Sequence, residues 1–188
     1  MRIGWVLAGI LFCGLGAGVV AARAATMFFL SDSKLCELAT AVLVADVASV
    51  HAELAPDRSR VQTRTKLSAV EYVKAPAKPL PELDVVTVGG VAGGIETRRP
   101  GTPRFTKGER VLVFLAEVGD DWQIVGLTRG KYHVETGEGP ATVRLDLEGL
   151  TQLDPATGRE IPADLIPASA GRVYLDDLVA TLRQSLAR

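Results

Sequence analysis

The stretch AVLVADVASVHAELAPDRSRVQTRTKLSAV, residues 41–70, decides the expected fold. Its first ten residues are mostly apolar and β-branched, which is typical of a strand buried on both faces. From Arg60 to Val70 polar and apolar residues alternate, as in a strand with one solvated and one packed face. Between the two, Ala55–Ser59 (APDRS) has the composition of a turn. The stretch therefore predicts a long antiparallel hairpin.

Shorter strands are expected after this hairpin, separated by loops rich in glycine and proline. They are Leu83–Val88, Arg110–Ala116, Trp122–Leu127, Lys131–Glu135 and Thr142–Leu147. Consecutive hairpins predict a mainly β fold whose sheet edges must be covered or closed. A small antiparallel barrel does this economically, and a β-sandwich is the alternative.

Helices are expected at both ends of the domain. Ser31 or Ser33 can cap a short helix that carries Leu35 and Leu38 on one face. A C-terminal amphipathic helix is indicated by helical spacing of Leu175, Leu178, Val179, Leu182 and Leu186. We expect its apolar face to close one end of the barrel.

Composition limits the function. The 188 residues carry a formal net charge of -1, so no basic face for nucleic acid is expected. Two His and two Cys leave little material for a metal cage or a disulfide framework, and no cofactor motif is found. We therefore expect no cofactor and no bound metal.

The N-terminus has the pattern of a signal peptide. Arg2 precedes an uncharged apolar stretch, Ile3–Val20, and Ala22-Arg23-Ala24 fits the small-x-small cleavage pattern. Such a signal would direct the protein to the periplasm or out of the cell, and we expect its cleavage after Ala24. The alternative is an uncleaved membrane anchor, although an apolar stretch of 18 residues that includes five glycines makes a weak one.

These observations divide the chain into five expected segments. They are a signal peptide (1–24), a leader with a short helix (25–41), the barrel (42–150), an extended linker (151–172) and the C-terminal helix (173–188). After cleavage Cys36 is the one remaining cysteine, and its leucine neighbours favour burial.

Three motifs carry a resemblance to a known family. They are AVEYVK at 69–74, FTKGERVLVFL at 105–115 and VGLTRGKY at 125–132. In this order they resemble bacterial exported domains of the netrin-like class, whose OB-fold barrel is shared with tissue inhibitors of metalloproteinases. The resemblance covers about residues 35–150. It implies an OB-like barrel and a protein partner, either a secreted metalloprotease or a component of the cell envelope.

One feature of the animal inhibitors is missing. They bind the protease zinc through an N-terminal cysteine, whereas the expected mature chain begins Ala25-Thr26-Met27 and Cys36 lies inside it. Zinc chelation by that route is therefore excluded here, and fold alone does not carry inhibition.

Two neighbouring segments are the candidate partner-binding residues. The first is the glycine cluster Gly89, Gly90, Gly93 and Gly94, where we expect positive φ and strand bends. The second is a basic cluster made of Arg98, Arg99, Arg104, Lys107 and Arg110, which could contact an acidic surface. His51 and His133 are interpreted as exposed strand residues rather than metal ligands.

The sequence favours an exported, non-enzymatic binding module. One alternative is an envelope accessory protein held in the membrane by an uncleaved Ile3–Val20 segment. The other is an enzyme whose carboxylates, Asp46 with Glu71 or Glu109, meet only in the folded chain. Asp46 lies inside an apolar strand, so we expect it to face a barrel mouth or to pair with an arginine.

Overall fold

A computed structural model describes residues 25–169 and 171–187, so the expected signal peptide lies outside the described residues. Within these ranges the chain forms twelve strands and two α-helices. The strands are β1 (Ala25–Phe28), β2 (Ala41–Leu54), β3 (Val61–Lys74), β4 (Leu83–Val88), β5 (Gly90–Ala92), β6 (Ile95–Thr97), β7 (Arg110–Val118), β8 (Asp121–Ile124), β9 (Lys131–Gly137), β10 (Gly139–Leu145), β11 (Leu150–Leu153) and β12 (Val173–Tyr174). The helices are α1 (Asp32–Leu38) and α2 (Leu175–Leu186).

Five of the strands close on themselves. Pairing runs β2-β3-β4-β8-β7 and returns from β7 to β2. Every pairing in this ring is antiparallel except β4 with β8, which is parallel and centred on Val85 and Trp122. The ring is a five-stranded barrel of the OB type. The mainly β fold expected from the sequence is therefore confirmed.

The long hairpin β2–β3 forms most of the barrel wall, as the stretch 41–70 predicts. Its register shifts at three places, and Ala69 adopts a φ of 50° at one of them. Such bulges add a residue on one strand and increase the local twist. They allow two 14-residue strands to coil around a small barrel instead of extending flat.

One edge of strand β7 pairs with two different strands of the sheet. Its N-terminal half, Arg110–Val113, pairs with β9, and its C-terminal half, Leu115–Val118, pairs with β8. The β8 side closes the barrel, while the β9 side continues outward through β10 and β12. The fold is thus a barrel with a short sheet extending from one of its strands.

Alternate residues of β2 and β7 enter two separate cores. Leu43, Val47, Val111 and Val113 lie inside the barrel, where Trp122 also packs. The intervening residues point outward, and they join a second core. This outer core contains Val42, Val44, Leu112, Phe114, Leu178 and Leu182. Burial on both faces is what the β-branched run at 41–50 predicts.

Helices α1 and α2 cover the outer core. Ser31 caps α1, as expected, by accepting a hydrogen bond from the Lys34 amide at 3.2 Å, and Cys36 of this helix is a buried free thiol. Helix α2 packs on α1 and on the outer face of the sheet. The expectation that α2 closes a barrel end was wrong, because Leu178 and Leu182 pack in the outer core against the outward residues of β2 and β7. In the described part of the chain, neither helix has the length and apolar content needed to cross a bilayer.

The segment expected as an extended linker, 151–172, contains regular structure. Strand β11 pairs in parallel with β1, joining Ala25 to Leu150 across most of the chain. Farther along, Ile166 and Ala168 are buried in the outer core, and the Leu145 amide donates to the Ala168 carbonyl at 2.7 Å. This segment therefore holds the N-terminal strand and completes the outer core.

Gly130 lies where no side chain fits. A Cβ built on Gly130 would lie 1.8 Å from the carbonyl oxygen of Val125, so it would clash with the backbone. Its backbone links the short 3-10 turn at Leu127–Gly130 to β9, so the obstruction cannot be relieved by rotating a side chain. Glycine is required at this position for close approach of two backbone segments.

We predict that Gly130→Ala lowers the free energy of unfolding by about 3 kcal/mol or more, because backbone must move to admit the Cβ. The matched control is Gly137→Ala, since a Cβ on Gly137 meets nothing within 4 Å. Urea denaturation followed by circular dichroism measures both. Equal stability of the two variants would contradict this account of Gly130.

Candidate binding surface

The glycine cluster forms a small hairpin of its own, β5–β6. Gly89, Gly90, Gly93 and Gly94 all have positive φ, between 57° and 130°. Gly93 and Gly94 make the tight turn that connects the two strands. The expectation of positive φ at these glycines is therefore confirmed.

The β5–β6 hairpin sits on an extension of the barrel wall. Strand β2 pairs with β7 only as far as Asp46, so beyond that point β2 is paired with β3 alone, while β3 pairs with β4 on its other side. We call residues 49–66 of the β2–β3 hairpin the arm. Gly90 lies against this arm, where a Cβ would be 2.9 Å from Thr63 Oγ1 and 3.0 Å from Ala52 Cβ. The absence of a side chain at Gly90 is what allows the hairpin to approach the arm closely.

Polar contacts also fix the arm and the hairpin together. Thr63 Oγ1 donates to the Gly89 carbonyl at 2.7 Å, and the Val61 amide donates to Thr97 Oγ1 at 3.0 Å. On the opposite face of the arm, Arg64 binds Glu53 and reaches Asp121 at the start of β8. The arm is thus tied to the hairpin on one face and to the barrel on the other.

The hairpin exposes two branched apolar side chains. Val91 is 65% exposed and Ile95 is 43% exposed. Directly paired residues share a face, so Gly90, Ala92, Ile95 and Thr97 face the arm while Val91 points away from it. We call the exposed parts of β5–β6, of the two residues that follow it (98 and 99) and of the 55–60 turn the hairpin surface.

The structure divides the predicted basic cluster. Arg98 and Arg99 follow β6 directly and belong to the hairpin surface, where Arg98 pairs with Glu96. Arg104 and Lys107 lie on the exposed loop that leads to β7. Arg110 binds Asp46, which is six residues before Ala52 on β2 and hence about 20 Å along the strand from the Gly90 contact.

Two basic residues of the hairpin surface were missed in the sequence. Arg58 and Arg60 lie in the exposed 55–60 turn, next to Val61, whose amide binds Thr97. Their positions in the sequence are far from the 98–110 cluster. Only the pairing of β2 with β3 and the contact of Val61 with Thr97 bring them beside Arg98.

Asp46 pairs with an arginine, as expected. Arg110 donates to Asp46 Oδ1 at 2.9 Å and also to Glu71 Oε1. The two carboxylates suggested by the enzyme alternative therefore do converge, but on one guanidinium. The guanidinium offsets part of the negative charge of the two carboxylates where β2, β3 and β7 meet.

Glu109 is in a different and more buried cluster. Lys131, whose side chain is 3% exposed, donates to Glu109 Oε1 at 2.8 Å, and His133 Nδ1 lies 2.9 Å from Oε2. Burial alone would raise the pKa of Glu109, but hydrogen bonds from His133, Lys131 and the Thr106 amide hold it below its usual value. Burial lowers the pKa of Lys131, and Glu109 counteracts part of that effect. His133 is thus paired rather than simply solvated.

A second buried cation was also missed in the sequence. Arg129, with a side chain 3% exposed, donates to Asp32 Oδ1 and to the Tyr132 hydroxyl, both at 2.6 Å, and its guanidinium lies over the Phe29 ring. Burial raises the pKa of Tyr132 well above its ordinary value. These contacts fasten the N-terminal segment to the turn before β9. Their role is to hold the fold together.

Other parts of the described chain are weaker candidates for a binding site than the hairpin surface. A groove of about 380 Å³ lies along β9 and β10, but Glu135, Glu138 and Arg172 line it with mixed charge. Residues 25–169 and 171–187 contain no group of three or more His, Cys, Asp or Glu placed to hold a metal ion. The hairpin surface is therefore the strongest candidate site.

No protein-family model, no curated protein and no solved structure matches this chain.

We predict that Glu109→Gln lowers the free energy of unfolding at pH 7 by about 2–3 kcal/mol, because it leaves Lys131 charged and buried without its counter-ion. The folded-state pKa of Glu109 lies below its ordinary 4.5, so its stabilising effect is complete above that pH. It is lost as the pH falls through the folded-state value. The difference between wild type and variant should therefore shrink in acid.

Chemical denaturation at pH 7 and at a series of acidic pH values tests this. Glu135→Gln is the control, since the Glu135–Arg144 pair is more than half exposed on both sides and should contribute little. A Glu109→Gln difference that stays constant down to strongly acidic pH would show that the carboxylate charge is not responsible.

Proposed function

We propose that this protein is an exported, non-enzymatic binding module that engages a protein partner through the hairpin surface. The observation that carries the proposal is the exposure of Val91 and Ile95 on a hairpin seated tightly on the arm. Exposed branched aliphatic side chains on a fixed element are typical of the anchor residues of protein interfaces.

Pre-organisation supports this assignment. The contacts of Gly90 with Ala52 and Thr63, and the Val61–Thr97 hydrogen bond, hold β5–β6 in one position before any partner arrives. A fixed hairpin loses little conformational freedom on binding, so more of the contact energy appears as affinity. Exposed apolar groups beside arginines also match the usual composition of interfaces.

Export is the part of the proposal that depends on the sequence alone. Residues 1–24 have the charge, apolar stretch and small-residue pattern of a cleaved signal. A secreted metalloprotease or an envelope protein is the partner that the netrin-like resemblance implies. If Ile3–Val20 is retained instead, the protein is an envelope accessory protein anchored in the membrane. The mass of the mature protein distinguishes these two forms, since a chain that starts at Ala25 has lost the anchor.

One observation favours an enzyme as the second candidate. Glu109 orients His133 through Nδ1, an arrangement that can set an imidazole for proton transfer. Lys131 binds the same carboxylate, however, and is itself buried. We therefore place this cluster second, and the pH series on Glu109→Gln described above bears on its structural role.

The test is capture of partners from the envelope and secreted fractions of the source cell by the immobilised protein. We predict that Val91→Asp loses the captured partner, because a carboxylate replaces the most exposed apolar side chain of the hairpin surface. Val118→Asp is the matched control: this valine is 53% exposed and lies in β7, away from the hairpin.

Folding of both variants is checked by circular dichroism and urea denaturation. Loss of capture by Val91→Asp alone supports the proposed interface. If both variants capture the same proteins as wild type, the hairpin surface is not the interface. If wild type captures nothing above blank resin, the protein-binding function itself is wrong.

A further inference from the structure

Four arginines lie close in the chain to the hydrogen bond between Val61 and Thr97 at the end of the arm. Arg58 and Arg60 come from the 55–60 turn, which is closed by the hydrogen bond from the Ala55 amide to the Arg60 carbonyl. Arg98 and Arg99 follow Thr97, whose hydroxyl accepts from the Val61 amide at 3.0 Å. Arg60 and Arg98 are thus the immediate chain neighbours of the two residues that this hydrogen bond joins, and Arg58 and Arg99 lie slightly farther along the chain. All four side chains are exposed.

Part of this positive charge has no ion-pair partner within the described chain. Among residues 25–169 and 171–187, Arg58, Arg60 and Arg99 form no ion pair, while Arg98 pairs with Glu96. The nearby Asp57 accepts hydrogen bonds from Ser59 within its own turn. Since the whole chain has a net charge of -1, this end of the molecule is positive against a slightly negative remainder.

We propose that the partner of the hairpin surface is an acidic protein segment, whose carboxylates bind these arginines while an apolar side chain packs on Val91. This rests on the proposed function and names the chemistry of its partner. Guanidinium groups bind carboxylates through two parallel hydrogen bonds, which gives orientation as well as attraction. Opposite charges on the two partners around an apolar contact also increase the association rate and favour the correct partner.

The shape of the surface favours a protein over a membrane. Val91 and Ile95 lie on opposite faces of β5–β6, so a flat bilayer cannot receive both. The four arginines, reduced by Glu96 and Asp57, also give only a small net charge, and each cation contributes weakly to binding an anionic leaflet. A protein segment, in contrast, can follow the edge of the hairpin and reach the turn.

The test is selection of short random peptides by the purified wild-type protein, with affinities of the enriched peptides measured at low and raised salt. The enriched peptides should carry an excess of Asp and Glu beside an apolar residue. We predict that the double variant Arg58→Glu/Arg60→Glu binds them about tenfold more weakly or worse, and that salt weakens the wild-type complex.

Arg159→Glu/Arg183→Glu is the control, because both arginines are exposed, belong to no ion pair in the described ranges and lie outside the hairpin surface. The inference is overturned if the enriched peptides lack an acidic excess, if the two double variants bind alike, or if no peptide is enriched. It is also overturned if binding is found only to vesicles of phosphatidylethanolamine and phosphatidylglycerol. A partner captured in the preceding experiment, but indifferent to Arg58 and Arg60, would leave the binding function intact and reject only its acidic chemistry.

Discussion

The architecture depends on strand β7, which is paired along both edges and buried on both faces. Its two edges pair with β2 on one side and with β8 and β9 in succession on the other. Its two faces contribute to the barrel interior and to the outer core under the helices. A strand in this position must be apolar at nearly every residue, and VLVFLA at 111–116 is. Closing the barrel, attaching the extension and docking α2 are therefore consequences of one strand.

Local patterns predicted the parts of the fold that depend on neighbours in sequence. The β2–β3 hairpin, the Ser31 cap and the apolar stripe of α2 each follow from the pattern of one continuous stretch of sequence. The positive φ of the four glycines at 89, 90, 93 and 94 was predictable for the same reason, because glycine adopts this conformation without the steric cost of a Cβ. The docking of α2 was not, since an amphipathic stripe tells which face is buried but not against what.

The missed residues share a physical cause. Arg129 and Lys131 appear in sequence as ordinary surface cations, yet both are buried because their partners come from distant elements. Asp32 is supplied by α1, and Glu109 by the start of β7. The Val61–Thr97 hydrogen bond joins the chain segment that carries Arg58 and Arg60 to the segment that carries Arg98. Charge pairing between remote segments has no periodicity, so a single sequence carries no signal of it.

The parallel pairing of β1 with β11 has a consequence for the order of folding. Ala25 pairs with Leu150, Asp32 binds Arg129, and α1 packs on α2, so the N-terminal segment has its partners late in the chain. Closing such long loops costs entropy that the local β2–β3 hairpin does not incur. The hairpin and barrel are therefore expected to form first, with the N-terminal segment joining last. Because the N-terminal residues are synthesised first, they wait for the C-terminal residues before the native state is complete.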